Sequence, residues 1–228
     1  MELASLPAEP VEPVTSNGTA LGLRLDGLTA GYDREPVLDG LMAEIAPGSF
    51  AVLMGPSGIG KTTLIRVLLG FLIPTAGSAA LVEASGREIP CAAGSRRCIS
   101  YVPQGNTLFS GTIAENLRLG APEATDAQLR AALEQACAWD FVQRLPQGLE
   151  TPVGERAQGI SEGQAQRIAI ARGLLRPASL LILDEATSAL DEDTERRILS
   201  GLRARGGQTM LVISHRPAAR ELADQVIE

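Results

Sequence analysis

The sequence has little to offer metal or disulfide chemistry: one histidine and three cysteines in 228 residues. Cys91, Cys98 and Cys137 form an odd set without the close spacing of metal ligands, which argues against a zinc centre or a disulfide framework. Reduced thiols of an intracellular protein are the expectation. Aromatics are scarce at 3%, so the core has to come from Leu, Ile, Val and Ala. Basic clusters are missing too. With 20 Lys+Arg against 27 Asp+Glu, the net charge is −7. A duplex-binding protein usually carries a basic face, so no nucleic-acid partner is expected, although local basic pockets for small phosphates stay open. No run reaches the ~18–20 apolar residues of a membrane-spanning helix. The nearest, VLLGFLIPTAGSAALV at residues 67–82, is interrupted by Gly70, Pro74 and Gly77. The N-terminus also lacks the basic-then-apolar pattern of a signal peptide. Work at a membrane would need another chain or segment to span it.

What is present is ordinary for a globular protein, at 45% hydrophobic and 21% charged. The length suits one large domain or two small ones with a real core. Residues 1–20 hold Pro7, Pro10 and Pro13 among acidic and small residues and read as a disordered linker or tail. An initiator Met directly before such sequence suggests that an upstream part was removed. From residue 21, short apolar runs alternate with helical patterns. Strands are predicted at 49–54 (SFAVLM), 98–102, 180–183 (LLIL) and 210–213 (MLVI). The last two are continuous apolar runs of the kind a strand covered on both faces requires. Helices are predicted at about 61–70, 126–138, 161–175 and 191–205. This alternation predicts an α/β fold with a mainly parallel sheet, and a mostly helical subdomain inserted at about 104–176.

Three motifs carry chemistry. Gly55-Pro56-Ser57-Gly58-Ile59-Gly60-Lys61-Thr62 matches G-x-x-x-x-G-K-[ST] between a strand and a helix, the P-loop context. Its glycines let backbone N–H groups turn toward phosphate oxygens, and the helix start adds its dipole. Lys61 should reach the β- and γ-phosphates and Thr62 should place its hydroxyl on Mg²⁺. LLILDE at 180–185 is an apolar strand ending in two carboxylates. Asp184 suits the magnesium shell, and Glu185 can orient or deprotonate an attacking water. GISEGQ at 159–164 precedes a long helical pattern. Ser161 and Gln164 fit an S-x-x-Q capping box, so a plain helix start is one reading. A second phosphate site at that helix N-terminus is the other.

The P-loop, SEGQAQRIAIAR at 161–172, LLILDEATSALD at 180–191 and His215 in VISHR occur in a fixed order. Over roughly residues 21–228 the chain resembles the nucleotide-binding domain of bacterial ABC transporters. The resemblance implies a P-loop NTPase core (21–103 and 177–228) with an N-terminal antiparallel β subdomain and the helical insert. It implies an ATPase using ATP and Mg²⁺, paired head to tail with a second such domain, whether as homodimer or heterodimer, and bound to a transmembrane domain. One face of ATP would lie on Gly55, Pro56, Ser57, Gly58, Ile59, Gly60, Lys61, Thr62 and Thr63. Tyr32 would stack on adenine, unless it is an exposed loop tyrosine. Ser161, Gly163 and Gln164 of the signature and Asp191 of the D-loop would face the partner's ATP. Gln104 would touch Mg²⁺ or water and report to the membrane partner, a structural loop amide being the alternative. Thr62, Gln104 and Asp184 would serve the metal. Lys61, Gln104, Glu185 and His215 would be catalytic, unless His215 is merely a surface residue. GNTLFSGTIAENLRLG at 105–120 and TPVGERAQG at 151–159 look exporter-like. Such a chain would be soluble alone and would work at the cytoplasmic face of the cell membrane.

Rival readings are a soluble ABC ATPase of DNA repair or translation, and a regulatory module that binds nucleotide without turnover. The first usually carries a long coiled-coil insert or tandem domains, neither of which is legible here. The second sits badly with intact Lys61, Asp184, Glu185 and His215. Two features depart from the family pattern. The chain stops a strand and a turn before the usual finish, as an excised domain would. The signature reads Ile160 and Glu162 where Leu and Gly are usual. A carboxylate near a partner's γ-phosphate would repel it by a few kcal/mol, whereas Glu in a first helical turn gains about 0.3–1 kcal/mol. The expectation is that Glu162 points away and the site stays active. Glu162→Gly should then leave ATP hydrolysis unchanged in a phosphate-release assay, and a large gain would mark the half-site as degenerate.

Overall fold

A computed structural model describes residues 19–32, 35–56, 58–154 and 159–228. The expected tail through residue 18, Ser57 of the P-loop and residues 155–158 of the TPVGERAQG segment lie outside the described residues. Two sheets divide most of the strands. β1 (Gly22–Tyr32) runs antiparallel to β2 (Glu35–Ile45). The chain leaves them through β3 (Phe50–Leu53) and helix α1 (Lys61–Leu68), then returns as β4 (Ala76–Val82) and β5 (Glu88–Pro90). The antiparallel order is β2-β1-β4-β5. β6 (Ile99–Val102) is followed by a ribbon of β7 (Gly111–Thr112) and β8 (Pro152–Val153). Between those two short strands lie α2 (Ile113–Arg118), α3 (Asp126–Gln135) and α4 (Trp139–Val142). Then come α5 (Glu162–Leu175), β9 (Leu180–Asp184), α6 (Glu192–Arg205), β10 (Thr209–Ile213), α7 (Pro217–Leu222) and β11 (Gln225–Ile227). The second sheet has the order β11-β3-β10-β9-β6, and each of these pairings is parallel. The α/β class, the parallel sheet and the antiparallel sheet are as the sequence predicts.

Side chains alternate across a strand, and here the alternation separates two cores. Phe50, Val52, Leu181, Leu183, Met210 and Val212 join a cluster with Ile168, Ile170, Leu129 and Leu133 on the helical side. Their neighbours Ala51, Leu53, Leu180, Ile182, Leu211 and Ile213 join Leu64, Ile65 and Leu68 of α1 and residues of the antiparallel sheet. Strands buried on both faces have no polar side to show, which is why they read as unbroken apolar runs.

α5 joins the inserted helices to the parallel sheet. It packs on α2 and α3 and also on β6 and β9; the Ser100 hydroxyl donates to the Gly173 carbonyl at 2.8 Å. Two predicted helices end early. α3 stops at Gln135 because Cys137 takes a left-handed φ of 53°, a conformation that breaks the helical ladder. α1 stops at Leu68, where Gly70 N–H reaches Val67 O at 2.8 Å and Phe71 N–H reaches Arg66 O at 2.7 Å. That is a Schellman closure around a glycine of positive φ. Among the described residues no helix is long and apolar enough to cross a membrane.

The three cysteines are free, and Cys98 is buried. Burial pushes the Cys91 thiol up to about 12. At about pH 8, maleimide should therefore label Cys91 in the folded chain about a thousandfold more slowly than a thiol of ordinary pKa, which holds far more thiolate. Labelling at the unfolded-chain rate, read by mass spectrometry, would contradict this burial.

Candidate active site at the ends of four parallel strands

In the register of the parallel sheet, Ile213 of β10 lies opposite both Leu53 of β3 and Asp184 of β9, and Leu183 lies opposite Val102 of β6. Four strands therefore end at one edge. Within two residues of those ends stand Gly55, Glu185, His215 and Gln104. This is the carboxyl edge where open α/β sheets hold ligands. Lys61, Thr62, Thr63, Gln104, Asp184 and Glu185 line a single cavity of about 250 Å³ with Gly58 and Gly60.

The cradle depends on backbone that side chains would obstruct. Gly60 sits at φ 106°, and a Cβ there would stand 2.6 Å from Leu38 Cδ2. Gly60 is the N-cap of α1 and supplies no side-chain cap. The first N–H groups of α1 have no carbonyl within their own helix to bond, which leaves them for an anion. Glu185 is held in the left-handed region at φ 46°, where a non-glycine residue usually costs about 1–3 kcal/mol. Its amide donates to the Ile213 carbonyl at 3.0 Å. This turn follows Asp184 and directs two successive carboxylates into one space.

The polar groups of the cavity bond to one another. Lys61 Nζ donates to the Gly55 carbonyl at 2.7 Å and lies 3.7 Å from Glu185 Oε1. Gln104 Nε2 donates to Glu185 Oε2 at 3.0 Å. The Tyr101 hydroxyl donates to Asp184 Oδ2 at 3.0 Å. Burial raises the Asp184 pKa above the ordinary carboxylate value and Glu185 adds to the rise, while the Tyr101 bond and Lys61 oppose it. The Tyr101 hydroxyl is itself pushed up, first by burial and then by Asp184. For Mg²⁺ the available donors are a hydroxyl, an amide oxygen and a carboxylate, the hard oxygen ligands this ion prefers. Among the described residues no group of three or more His, Cys, Asp or Glu could hold a metal. Three such oxygen donors fit Mg²⁺, which keeps several waters and commonly shares its coordination with substrate phosphates.

The remaining expected residues lie apart from this cavity. Ser161 is the N-cap of α5, with its Oγ accepting from Gln164 N–H at 3.3 Å and Gln164 Oε1 accepting from Ser161 N–H at 2.9 Å. The helix-start reading of GISEGQ thus holds as local structure. Glu162 is exposed in the first turn, the position where a carboxylate suits the helix dipole. Asp191 caps α6, its Oδ1 accepting from Thr194 N–H at 2.9 Å. That hydrogen bond holds its carboxyl below the usual range. Pro56 and Ile59 are exposed on the P-loop. His215 is exposed after β10, and among the described residues no hydrogen bond joins it to Glu185. Tyr32 stands on β1 rather than in a loop; its hydroxyl accepts from Arg66 Nη1 at 2.8 Å, and the guanidinium lies 5.6 Å from the ring centroid.

A strand, glycine-rich turn and helix carrying Lys61 and Thr62, set beside a strand-end carboxylate pair, define a P-loop nucleotide-binding site. The chain belongs to the ABC transporter family, whose profile matches residues 38–188. It is 42% identical over 203 residues to the ABC transporter ATM1 of Toxoplasma gondii, covering 86% of this chain and 18% of that protein. It is 40% identical over 237 residues to the ATP-dependent lipid A-core flippase of Ralstonia nicotianae, covering 99% of this chain and 39% of the flippase. A solved bacterial Atm1-family ABC exporter with ATP bound superposes with a TM-score of 0.86 at 37% identity, covering 97% of this chain and 39% of that one. The chain thus spans well under half the length of these relatives.

Sequence reasoning missed Tyr101 and the buried Glu195. Glu195 had a signal: it opens the stripe 195, 198, 199, 202 on α6, whose other members are Ile198, Leu199 and Leu202, so a carboxylate occupies a core position. Tyr101 had none, because its partner lies on a neighbouring strand. Because burial raises the Asp184 pKa, Asp184 lends its full stability below its unfolded pKa and loses it as pH rises through the higher folded one. Tyr101→Phe removes a bond that favours the charged form and should widen that loss. In EDTA, urea unfolding should show Tyr101→Phe about 1–3 kcal/mol less stable at neutral pH, as for a lost hydrogen bond to a charged group. The deficit should shrink once Asp184 is protonated; one equal at both pH values would contradict the charge-dependent role of Tyr101.

Proposed function

We propose that this chain is the ATP-hydrolysing motor domain of an ABC exporter, working as one of a head-to-tail pair. The observation that carries the reading is the convergence of Lys61, Thr62, Gln104, Asp184 and Glu185 on one cavity at the sheet's carboxyl edge. Phosphate oxygens would draw Lys61 away from the Gly55 carbonyl and receive the free N–H groups of α1. Thr62, Gln104 and Asp184 would hold Mg²⁺, which when bound neutralises charge on the phosphate oxygens. Glu185, relieved of Lys61, would orient the attacking water and take its proton. His215, two residues after β10, would reach the γ-phosphate, and Tyr32 would offer its exposed ring to adenine. Ser161, Gly163, Gln164 and Asp191 lie outside this cavity, which supports a role toward the ATP of a second copy.

A membrane partner is the other half of the proposal. Phe71, Phe109 and Leu119 are among the exposed large hydrophobics and border a cavity of about 360 Å³ with Arg96 and Arg172. An apolar patch rimmed by arginines suits a protein partner. We assign it to the transmembrane domain of the same transporter, which would keep this chain at the cytoplasmic face. The lengths of the relatives leave room for such a domain. Glu185→Gln should lower ATP turnover by at least about a hundredfold, the usual worth of a general base. The same variant should form an ATP-dependent dimer on a sizing column. Normal turnover would sink the assignment of Glu185.

A further inference from the structure

Beside the nucleotide cavity runs a buried polar chain that the proposed mechanism does not use. Glu195 is 1% exposed. Its Oε1 accepts from the Thr187 hydroxyl at 2.7 Å and its Oε2 from Arg216 Nη1 at 2.8 Å. Arg216 follows His215, and its other amino group donates to the Ser188 carbonyl at 3.4 Å. Gln166, also 1% exposed, spans the same loop from α5. Its Nε2 donates to the Ser188 hydroxyl at 3.1 Å, and its Oε1 accepts from Ala189 N–H at 3.0 Å. The contact is tightest one turn earlier on α5: a Cβ on Gly163 would lie 2.9 Å from the Ala189 carbonyl oxygen. The loop after β9 is therefore gripped by the residue next to His215 on one side and by the signature helix on the other.

We propose that Gln166 and the Glu195–Arg216 pair are positioning residues that fix Ser161 and Gly163 relative to His215. This deepens the head-to-tail reading and rests on it. His215 would face the ATP held by its own P-loop, while Ser161 and Gly163 would face the ATP of the second copy. A shift of His215 toward or away from a γ-phosphate would then reach the other site through Arg216, the loop at 187–189 and Gln166. The path is short: beyond the peptide bond from His215 to Arg216, the steps into and out of the loop are hydrogen bonds between named atoms. A buried amide bonded at both ends of its side chain favours one placement of the loop, because any other leaves polar atoms without partners. The loop meets the cavity through its backbone, Ser188 N–H donating to the Glu185 carbonyl at 3.1 Å. Among the described residues, however, no hydrogen bond joins residues 55–63 to Gln166, Glu195 or Arg216, so nucleotide binding by a single copy should be indifferent to these side chains.

The test uses the Glu185→Gln chain as parent. Gln166→Leu keeps the volume and removes both bonds, and Ser188→Ala removes one bond without touching the core. Two quantities are measured: binding of a fluorescent ATP analogue to the monomer, and the ATP midpoint for dimerisation by analytical ultracentrifugation. We expect analogue affinity to change less than about twofold while the midpoint rises about tenfold in Gln166→Leu, equivalent to about 1.4 kcal/mol, and less in Ser188→Ala. If both variants dimerise like the parent, the positioning role is overturned. It is equally overturned if affinity and dimerisation fall together, since that marks general loss of structure. If the parent itself does not dimerise, the head-to-tail reading fails and takes this inference with it.

Discussion

The register of the parallel sheet is the constraint on which the rest depends. Ile213 opposite Leu53 and Asp184 puts the ends of three strands in line, and Val102 opposite Leu183 adds a fourth. A slip of one residue would exchange the two cores, sending Val52 and Leu183 toward α1 and Leu53 and Ile182 toward the helical side. Register and burial thus enforce each other. The site inherits its accuracy from the core, because Gly55, Gln104, Asp184, Glu185 and His215 stand on or within two residues of strands held in this register.

Much of this was legible in the chain itself. Runs such as LLILD and TMLVI announced strands covered on both faces, and the P-loop supplied its own context of strand before and helix after. The signature, read locally as a capping box, does form one. What could not be read was pairing across strands and loops. Nothing near Tyr101 says that Asp184 stands beside it, since β6 and β9 are joined only through the sheet. The early end of α3 was equally hidden, because a left-handed Cys137 is unusual for a residue with a side chain. Glu195 was visible in principle, as a carboxylate in an apolar stripe, and its partner Arg216 was not.

The polar groups of the site are not a set of idle charges. Lys61, Gln104, Tyr101 and the two carboxylates satisfy one another. A ligand therefore replaces bonds rather than creating them, and its affinity is a difference between two well-bonded states. This arrangement also keeps Glu185 from facing Asp184 with no cation near, since Lys61 of the P-loop lies 3.7 Å from Glu185 Oε1 and its charge opposes the rise in the Asp184 pKa.

The cap of α5 has a consequence for which residues can stand at position 161. The Ser161 oxygen is occupied as an acceptor by Gln164 N–H, but a hydroxyl also carries a proton that can point outward. Asp and Asn cap helices as well as Ser does. Asp would turn a negative charge toward an approaching anion. Asn would spend its carbonyl on the cap and leave its amide to reach outward from a longer arm. A hydroxyl is the smallest group that closes a helix with its oxygen and keeps a hydrogen to offer an anion, so in the proposed pairing one atom pair would serve folding and ligand at once.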